Sequence, residues 1–380
     1  MASKNTKYLV WGKGCPLVAT TTAKPTIIEP TEVMICLKAI AINPADCKMV
    51  DQGRRVTSWP LVPGLDGSGV VEAIGDNVKN FALGDEVLAL FAAGDRGGSY
   101  QNFAVVQEMM VAKKPTTWSF EDAATLGCVV PFFLHVAIPF LFALLQVSFH
   151  GNFPCVRLKY YLVSRVCYLT GVTALGIGLK TPLPFLKDGP TAGFKPSSVL
   201  ILGGSSALGA ATIQLLRLVI PDCTILATSS PKNHSHIRNI LGANGAFDRN
   251  SSSLVMEVRS ASPGSRGVDA IIDTVGAGST QRHIFETLDS NGPKRYAQVW
   301  TGDEEIEVPS GVDSVMFRGR DLSQLQGGKN IMLALQTLLE EDKYKLPLPV
   351  HKVGDGFDAL KKGLGLMRKG VSGEKLVVAI

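Results

Sequence analysis

The sequence predicts an α/β protein: a mostly-β N-terminal unit followed by a doubly wound parallel sheet. Three observations predict it. Short apolar runs punctuated by Gly and Pro fill the first hundred residues. Strand and helix patterns alternate strictly after Lys195. The 380-residue length suits two or three domains at about 150 residues each.

The first clear strand is residues 33–42 (VMICLKAIAI), apolar and β-branched, stopped by Asn43-Pro44. Residues 61–75 (LVPGLDGSGVVEAIG) place turns around a strand at 69–74. Gly84-Asp85 turns into a strand at 86–90, and Gly97-Gly98 precedes one at 100–106. The pattern then changes. PSSVLIL ends in a Gly/Ser loop and a helix at 208–219, then a strand at 223–227 and a helix at 234–241. Short strands follow at Phe247, 268–273 and 295–300, which makes residues from about 174 to 310 a Rossmann-type unit. Amphipathic helices are predicted at 331–341 and 357–368, and a last strand, 375–380, is expected to rejoin the N-terminal unit.

Composition narrows the function. Apolar residues are 46% and charged residues 19%, which excludes disorder, collagen and coiled coil. A net charge of +5 with no long basic stretch gives no nucleic-acid footprint. The seven Cys have no C-x-x-C spacing and read as reduced thiols. MASKNTKYLVW has no apolar signal core, so the expected compartment is cytoplasmic. The six His are scattered, with no H-E-x-x-H pair.

Residues 199–209 (VLILGGSSALG) run a buried strand into a small-residue loop that opens a helix. Gly203, Gly204 and Gly209 give backbone N–H groups the clearance to approach a pyrophosphate. The alternative is a tight βα turn with no ligand. About twenty residues past the glycines an NAD site places Asp or Glu. Here the run is Thr228-Ser229-Ser230-Pro231-Lys232-Asn233, with hydroxyls and a cation and no acid. That favours NADPH; Lys232 alone reads equally as a solvated surface lysine.

Asn43-Pro44-Ala45-Asp46, Pro63-Gly64-Leu65-Asp66-Gly67-Ser68-Gly69, Gly84-Asp85-Glu86-Val87, Glu121-Asp122-Ala123-Ala124-Thr125-Leu126-Gly127 and Val371-Ser372-Gly373-Glu374-Lys375-Leu376-Val377 occur in this order. In this the chain resembles the medium-chain dehydrogenase/reductase superfamily, outside residues 130–172. The resemblance implies a GroES-like catalytic domain at 1–129, a Rossmann NADPH-binding domain at 173–312 and a return to the catalytic domain at 313–380. Zinc members carry Gly-His-Glu where this chain has Gly64-Leu65-Asp66. Leu cannot ligate zinc, so no metal is expected. The chain is similar to zinc-free quinone oxidoreductases and to fungal trans-acting enoyl reductases that serve polyketide synthases.

The resemblance implies hydride transfer from NADPH to the β-carbon of a conjugated C=C–C=O, an enoyl thioester or quinone-like compound, small or carrier-bound. It implies that Ala45, Asp46, Cys47 and Lys48 lie beside the nicotinamide. Lys48 and then Asn43 are the candidates to stabilise or protonate the enolate. Lys48 otherwise reads as a surface lysine and Asn43 as a turn-former. Gly204, Ser205, Ser206, Ala207, Leu208 and Gly209 would hold the pyrophosphate, and Ser229, Ser230, Pro231, Lys232 and Asn233 the 2′-phosphate. Arg249 stands where many relatives have an adenine-stacking Tyr. Val299, Trp300, Val371 and Ser372 complete the cofactor set. Ser314, Val315, Met316, Phe317 and Arg318 would line the substrate side; Trp300 reads either as a pocket wall or as core. The alternative function is an NADPH-binding protein without catalysis. The chain would act as a monomer or homodimer.

Mean hydropathy is high, +0.19. From Cys128 to Phe149 there is no Asp, Glu, Lys or Arg, and between Val130 and Thr173 lie 42 residues without a family counterpart. They read as a membrane helix, as a lid or dimer insertion, or, the reading preferred, as a translated retained intron. Pro131 and Pro139, together with the segment's placement inside a catalytic domain, weaken the membrane reading. Excision gives LGCVVTALGIGLKTPLPF, which is similar to the family. A mature transcript that retains these codons would refute the intron reading.

Overall fold

The computed structural model describes residues 4–126, 167–300 and 307–380. In chain order, β1 (Lys4–Leu9) and β2 (Val18–Ala23) form an antiparallel pair. Then come β3 (Glu32–Ala41), α1 (Pro44–Gln52), β4 (Asp66–Ile74), β5 (Glu86–Leu90), β6 (Phe103–Gln107), β7 (Val111–Lys113) and α2 (Phe120–Ala124). β3 is central. It is buried over nearly its full length because β4 pairs along one edge, and β6 and a C-terminal strand share the other. A strand covered on both faces reads as a continuous apolar run, as β3 does.

The second unit begins at α3 (Cys167–Thr173), which continues as a π-helical stretch, Ala174–Leu179. β8 (Ser198–Leu202), α4 (Ala207–Val219), β9 (Thr224–Ser229), α5 (His234–Asn239), β10 (Gly245–Asp248), α6 (Leu254–Ala261), β11 (Ala270–Asp273), β12 (Arg295–Val299) and β13 (Asp313–Phe317) follow. The six strands are all parallel, in the order β10-β9-β8-β11-β12-β13. β8 leads to β9 on one side and neighbours β11 on the other. The crevice beyond the carboxyl ends of β8 and β11 is therefore the ligand-binding switch point of a doubly wound sheet.

Two expected boundaries move. The nucleotide unit extends past residue 312, because β13 pairs with β12 from Asp313 to Phe317. Of the segment 130–172, residues 130–166 lie outside the described residues. Its last six, Cys167 to Val172, are buried in α3 against α4 and belong to the core of this unit. Among the described residues no helix is long and apolar enough to cross a membrane.

The chain then returns through α7 (Ile331–Glu340), β14 (Val350–Asp355), α8 (Asp358–Lys369) and β15 (Lys375–Ala379). β15 pairs parallel with β14 and antiparallel with β3, so the last strand completes the N-terminal sheet.

A buried polar node fixes that return. Asp66 opens β4, Lys375 opens β15, and Asn43 precedes α1. The Asn43 amide donates to Asp66 Oδ2 at 2.8 Å. Lys375 Nζ donates to Asn43 Oδ1 and lies 3.4 Å from Asp66 Oδ2. The Asn43 backbone N–H donates to Asp46 Oδ2 at 2.8 Å, closing the first turn of α1. All four residues are at most 5% exposed. Burial opposes the charge on Lys375, but Asp66 and its neighbours outweigh it and hold its pKa above the ordinary lysine value. Asp46 forms no ion pair among the described residues, and burial, only partly offset by Lys375, pushes its pKa up to about 7.

Lys375→Met strands the Asp66 carboxylate in the core and is expected to cost about 3–5 kcal/mol in urea unfolding, whereas a substitution at an exposed lysine such as Lys361 costs little. Asp46 gives a pH signature. Its folded pKa lies above the unfolded value, so its contribution is fullest at low pH and is lost as pH rises through about 7. Asp46→Asn is therefore expected to gain stability relative to the parent between pH 5 and pH 8; a constant gap in urea midpoints would refute this.

Candidate active site

The loop after β8 is shaped by what its glycines allow. Gly203 has φ +78°, and a Cβ on Gly209 would sit 2.2 Å from the Gly203 carbonyl oxygen. Only glycine lets α4 start this close to the loop. Ser206 caps α4, its hydroxyl accepting the Gly209 N–H at 2.9 Å and sharing a hydrogen bond with Thr274 Oγ1 at 3.0 Å. The N-terminus of this thirteen-residue helix is thus presented to the crevice, where its dipole favours a phosphate.

A cavity of about 320 Å³ opens there, lined by Gly203, Ser205 and Ser206, by Thr228 and Ser229 from β9, and by Arg249, Val275, Ala277, Gln281, Val371 and Ser372. At its far end, the Arg249 backbone N–H donates to the Ser229 carbonyl at 3.0 Å, which places its exposed side chain beside Ser229. Lys232 is exposed on the next turn, Pro231–Asn233. Asp248 stands opposite Ser229 in the strand pairing, but its carboxylate turns into its own loop and accepts the Asn250 N–H at 3.0 Å. Asn233 is buried and donates to Ser372 Oγ at 3.3 Å, and a Cβ on Gly373 would lie 2.2 Å from Asn233 Oδ1. The segment leading into β15 therefore rests directly on the turn after β9.

A second cavity, of about 250 Å³, adjoins the first through Ser205, Ser206, Val275 and Val371. It is walled by Ala207 and Leu208 on one side and by Asn43, Pro44 and Lys375 on the other. The two cavities make one cleft between the parallel sheet and the β unit, from the tip of β9 to the buried polar node.

Of the residues singled out by sequence, Asn43, Ser205, Ser206, Ala207, Leu208, Ser229, Arg249, Val371 and Ser372 line this cleft. Gly204 and Gly209 shape the loop from beneath. Lys48 is half-buried on α1, four residues after Pro44 and so on the same face of the helix. Ala45, Asp46 and Cys47 do not reach the cleft. All three are buried: Asp46 closes the helix turn, and Cys47 Sγ donates to the Leu364 carbonyl at 3.7 Å. Val299 is buried in β12, Trp300 half-buried just beyond it. Phe317 does not line a substrate surface. Its ring is fully buried against Gly178 because alternate residues of β13 face the core. Ser314 and Met316 are exposed, and Val315 and Arg318 are intermediate.

Two contributors were missed. The turn after β11 supplies Thr274, Val275, Ala277 and Gln281. Asp273 builds it, its carboxylate accepting the N–H groups of Val275, Gly276 and Gly278 and the Tyr296 hydroxyl at 2.8–3.1 Å. The signal was present as Asp273-Thr274-Val275-Gly276 at the end of an apolar run. Lys375 was missed because a lysine in a C-terminal strand gives no sign of its buried partner.

Residues 29–116 match the family described as the alcohol dehydrogenase GroES-like domain. The chain is 30% identical to the dehydrogenase orsE of Emericella nidulans, over 92% of each chain. It is 28% identical to lovC, the enoyl reductase component of the lovastatin nonaketide synthase of Aspergillus terreus, over 92% of this chain and 89% of that one. The crystal structure of the CurK enoyl reductase superposes with a TM-score of 0.70 at 18% identity, covering 99% of both chains, a likeness of fold. A GroES-like domain, a six-stranded nucleotide-binding sheet and full-length relatives coincide in one chain, which belongs to the medium-chain dehydrogenase/reductase superfamily as an enoyl reductase-like oxidoreductase.

Proposed function

We propose that the chain reduces the activated C=C bond of an enoyl thioester or quinone-like compound, with NADPH as donor and without zinc. The observation that carries this reading is the continuity of the cleft: the loop that suits a pyrophosphate opens directly onto the Asn43 edge of the β unit. NADPH over NADH is supported by Thr228, Ser229 and Ser230 at the end of β9, with Arg249 and Lys232 beside them. Zinc independence is supported by Leu65, a buried side chain without a donor atom.

NADPH, when bound, supplies the hydride. The chain's residues do the rest. The N-terminus of α4 and the Ser205 hydroxyl hold the pyrophosphate and fix the register of the cofactor, while Ser206, its proton given to Thr274, caps the helix that presents them. Arg249 and Lys232 take the 2′-phosphate. Lys48 stands one turn beyond Pro44 on α1, the helix whose start lines the cleft. There it stabilises the enolate oxygen and returns a proton to the substrate. Asn43 is held by Lys375 and Asp66 and orients this edge. Names among the relatives support a carrier-bound substrate delivered by a polyketide synthase, and the five free thiols among the described residues support a cytoplasmic setting.

NADPH oxidation with a panel of enoyl thioesters and quinones tests the reading; NADPH binding with no turnover on any substrate would replace it with a non-catalytic binder. Lys48→Met is expected to lower kcat at least a hundredfold with the NADPH Kd unchanged. Arg249→Ala combined with Lys232→Ala is expected to raise the KM for NADPH at least tenfold, since both charged contacts to the 2′-phosphate are lost, and to leave that for NADH unmoved. Equal effects on both cofactors would exclude a 2′-phosphate site.

A further inference from the structure

We propose that Lys375 is a positioning residue of the reduction. Its ammonium, seated on the Asn43 carbonyl oxygen, polarises that carboxamide, whose remaining N–H meets the substrate carbonyl. This rests on the reductase reading above. It adds a second, uncharged donor to the oxygen that Lys48 is asked to stabilise.

The chemistry of the node fixes which way the carboxamide faces. An ammonium only donates and a carboxylate only accepts. Lys375 Nζ therefore meets Asn43 Oδ1, and Asp66 Oδ2 meets Asn43 Nδ2 at 2.8 Å. Lys375 Nζ also lies 3.4 Å from the same Asp66 Oδ2. One ammonium reaches both oxygens without colliding with the amide only when Asp66 stands on the Oδ1 side of the group. The Nδ2 hydrogen on that side is then the one that Asp66 takes. The other Nδ2 hydrogen points out of the node, and no acceptor among the described residues takes it. A buried N–H without an acceptor is costly unless a ligand or a water serves it. The inner cavity, which Asn43 and Lys375 both line, is where such an acceptor has room.

The setting makes this donor strong. A cation bonded to the amide oxygen draws electron density off the nitrogen, so the free N–H becomes a better donor. The group is also held still. Its backbone N–H is bonded to Asp46 Oδ2, and its side chain is bonded at both ends. Asn43 is 2% exposed and Lys375 5%, and Ile42, Leu208, Leu348 and Met367 supply apolar wall around them. A fixed dipole in such dry surroundings does not have to compete with water.

The step balances simply. As the β-carbon takes the hydride supplied by NADPH, the alkene pair moves to the bond between the α-carbon and the carbonyl. The carbonyl pair moves onto oxygen. The Asn43 N–H answers that charge and keeps its proton, and the proton for the α-carbon stays the task of Lys48.

The test follows reduction of the crotonyl thioester of N-acetylcysteamine by four chains. They are the parent, Asn43→Ala, the paired change Asp66→Asn with Lys375→Gln, and all three changes together. The paired change removes both charges but keeps a donor for Oδ1 and an acceptor for Nδ2, so no buried charge is stranded. Asn43→Ala is expected to lower kcat about a hundredfold, the cost of one oxyanion donor, and the paired change about tenfold, with the NADPH Kd unmoved in each. With Asn43 already replaced, the paired change is expected to lower kcat no further. A node that only shapes the fold would leave kcat intact in the paired change, or lower it as much without Asn43 as with it. Either result overturns the proposal, as does a loss of NADPH affinity in step with kcat. The infrared carbonyl stretch of the butanoyl thioester, bound to the protein loaded with NADP+, reads the donor without turnover. It is expected to lie lower in the parent than in water, and to move back in Asn43→Ala and, by less, in the paired change. If the crotonyl ester is not reduced and the stretch still behaves this way, the reductase reading fails and the polarised donor stands. A stretch unshifted in the parent, or equal in the parent and Asn43→Ala, overturns it.

Discussion

The contact on which the architecture depends is the buried pair of Lys375 and Asp66, with the Asn43 side chain between them. A charged pair removed from water adds little net stability, but it enforces one arrangement, because any other leaves a buried charge without a partner. Here the three residues come from the starts of β15 and β4 and from the cap of α1. They are 332 positions apart at the extreme, Asn43 to Lys375. The node therefore specifies where the end of the chain must insert into a sheet begun near its start.

That insertion determines the cleft. Once Lys375 is placed, the preceding Ser372 and Gly373 have nowhere to run except over the turn after β9, where they meet Asn233. The turn after β9 and the buried node are thus connected by three residues of backbone. Asp273 performs the matching task from the other sheet. Its carboxylate, saturated by three backbone N–H groups and a tyrosine hydroxyl, holds the turn that closes the cleft between β8 and β11. Fully satisfied buried carboxylates of this kind rigidify what they bind.

The sequence carries some of this well and some of it not at all. Local grammar was legible: the β-branched run of β3, the VLILGGSSALG passage from strand to helix, and the alternation that followed. Those features report backbone preference over a few residues, and the structure keeps them. What needed a distant partner was not legible. β13, Asp313 to Phe317, was not among the strands read from the sequence, and β12 offers it the edge on which it becomes one. Phe317 follows from the same cause, since the pairing register points it inward. Cys167 to Val172 looked foreign by composition, whereas their apolar character matches the α4 surface they cover. Asp46 looked like a site residue from its motif but serves the helix it sits in.

The distribution of charge along the cleft gives these pieces a common logic. The outer end is cationic and wet, with Arg249 and Lys232 at the tip of β9. The middle is dry, and its charges cancel within the node. Electrostatic attraction is screened weakly in the dry part and strongly at the exposed end. An anion formed on the proposed substrate beside this neutral, pre-ordered edge would find Lys48 one turn along α1 from Pro44, the cation that the proposed mechanism asks to answer it.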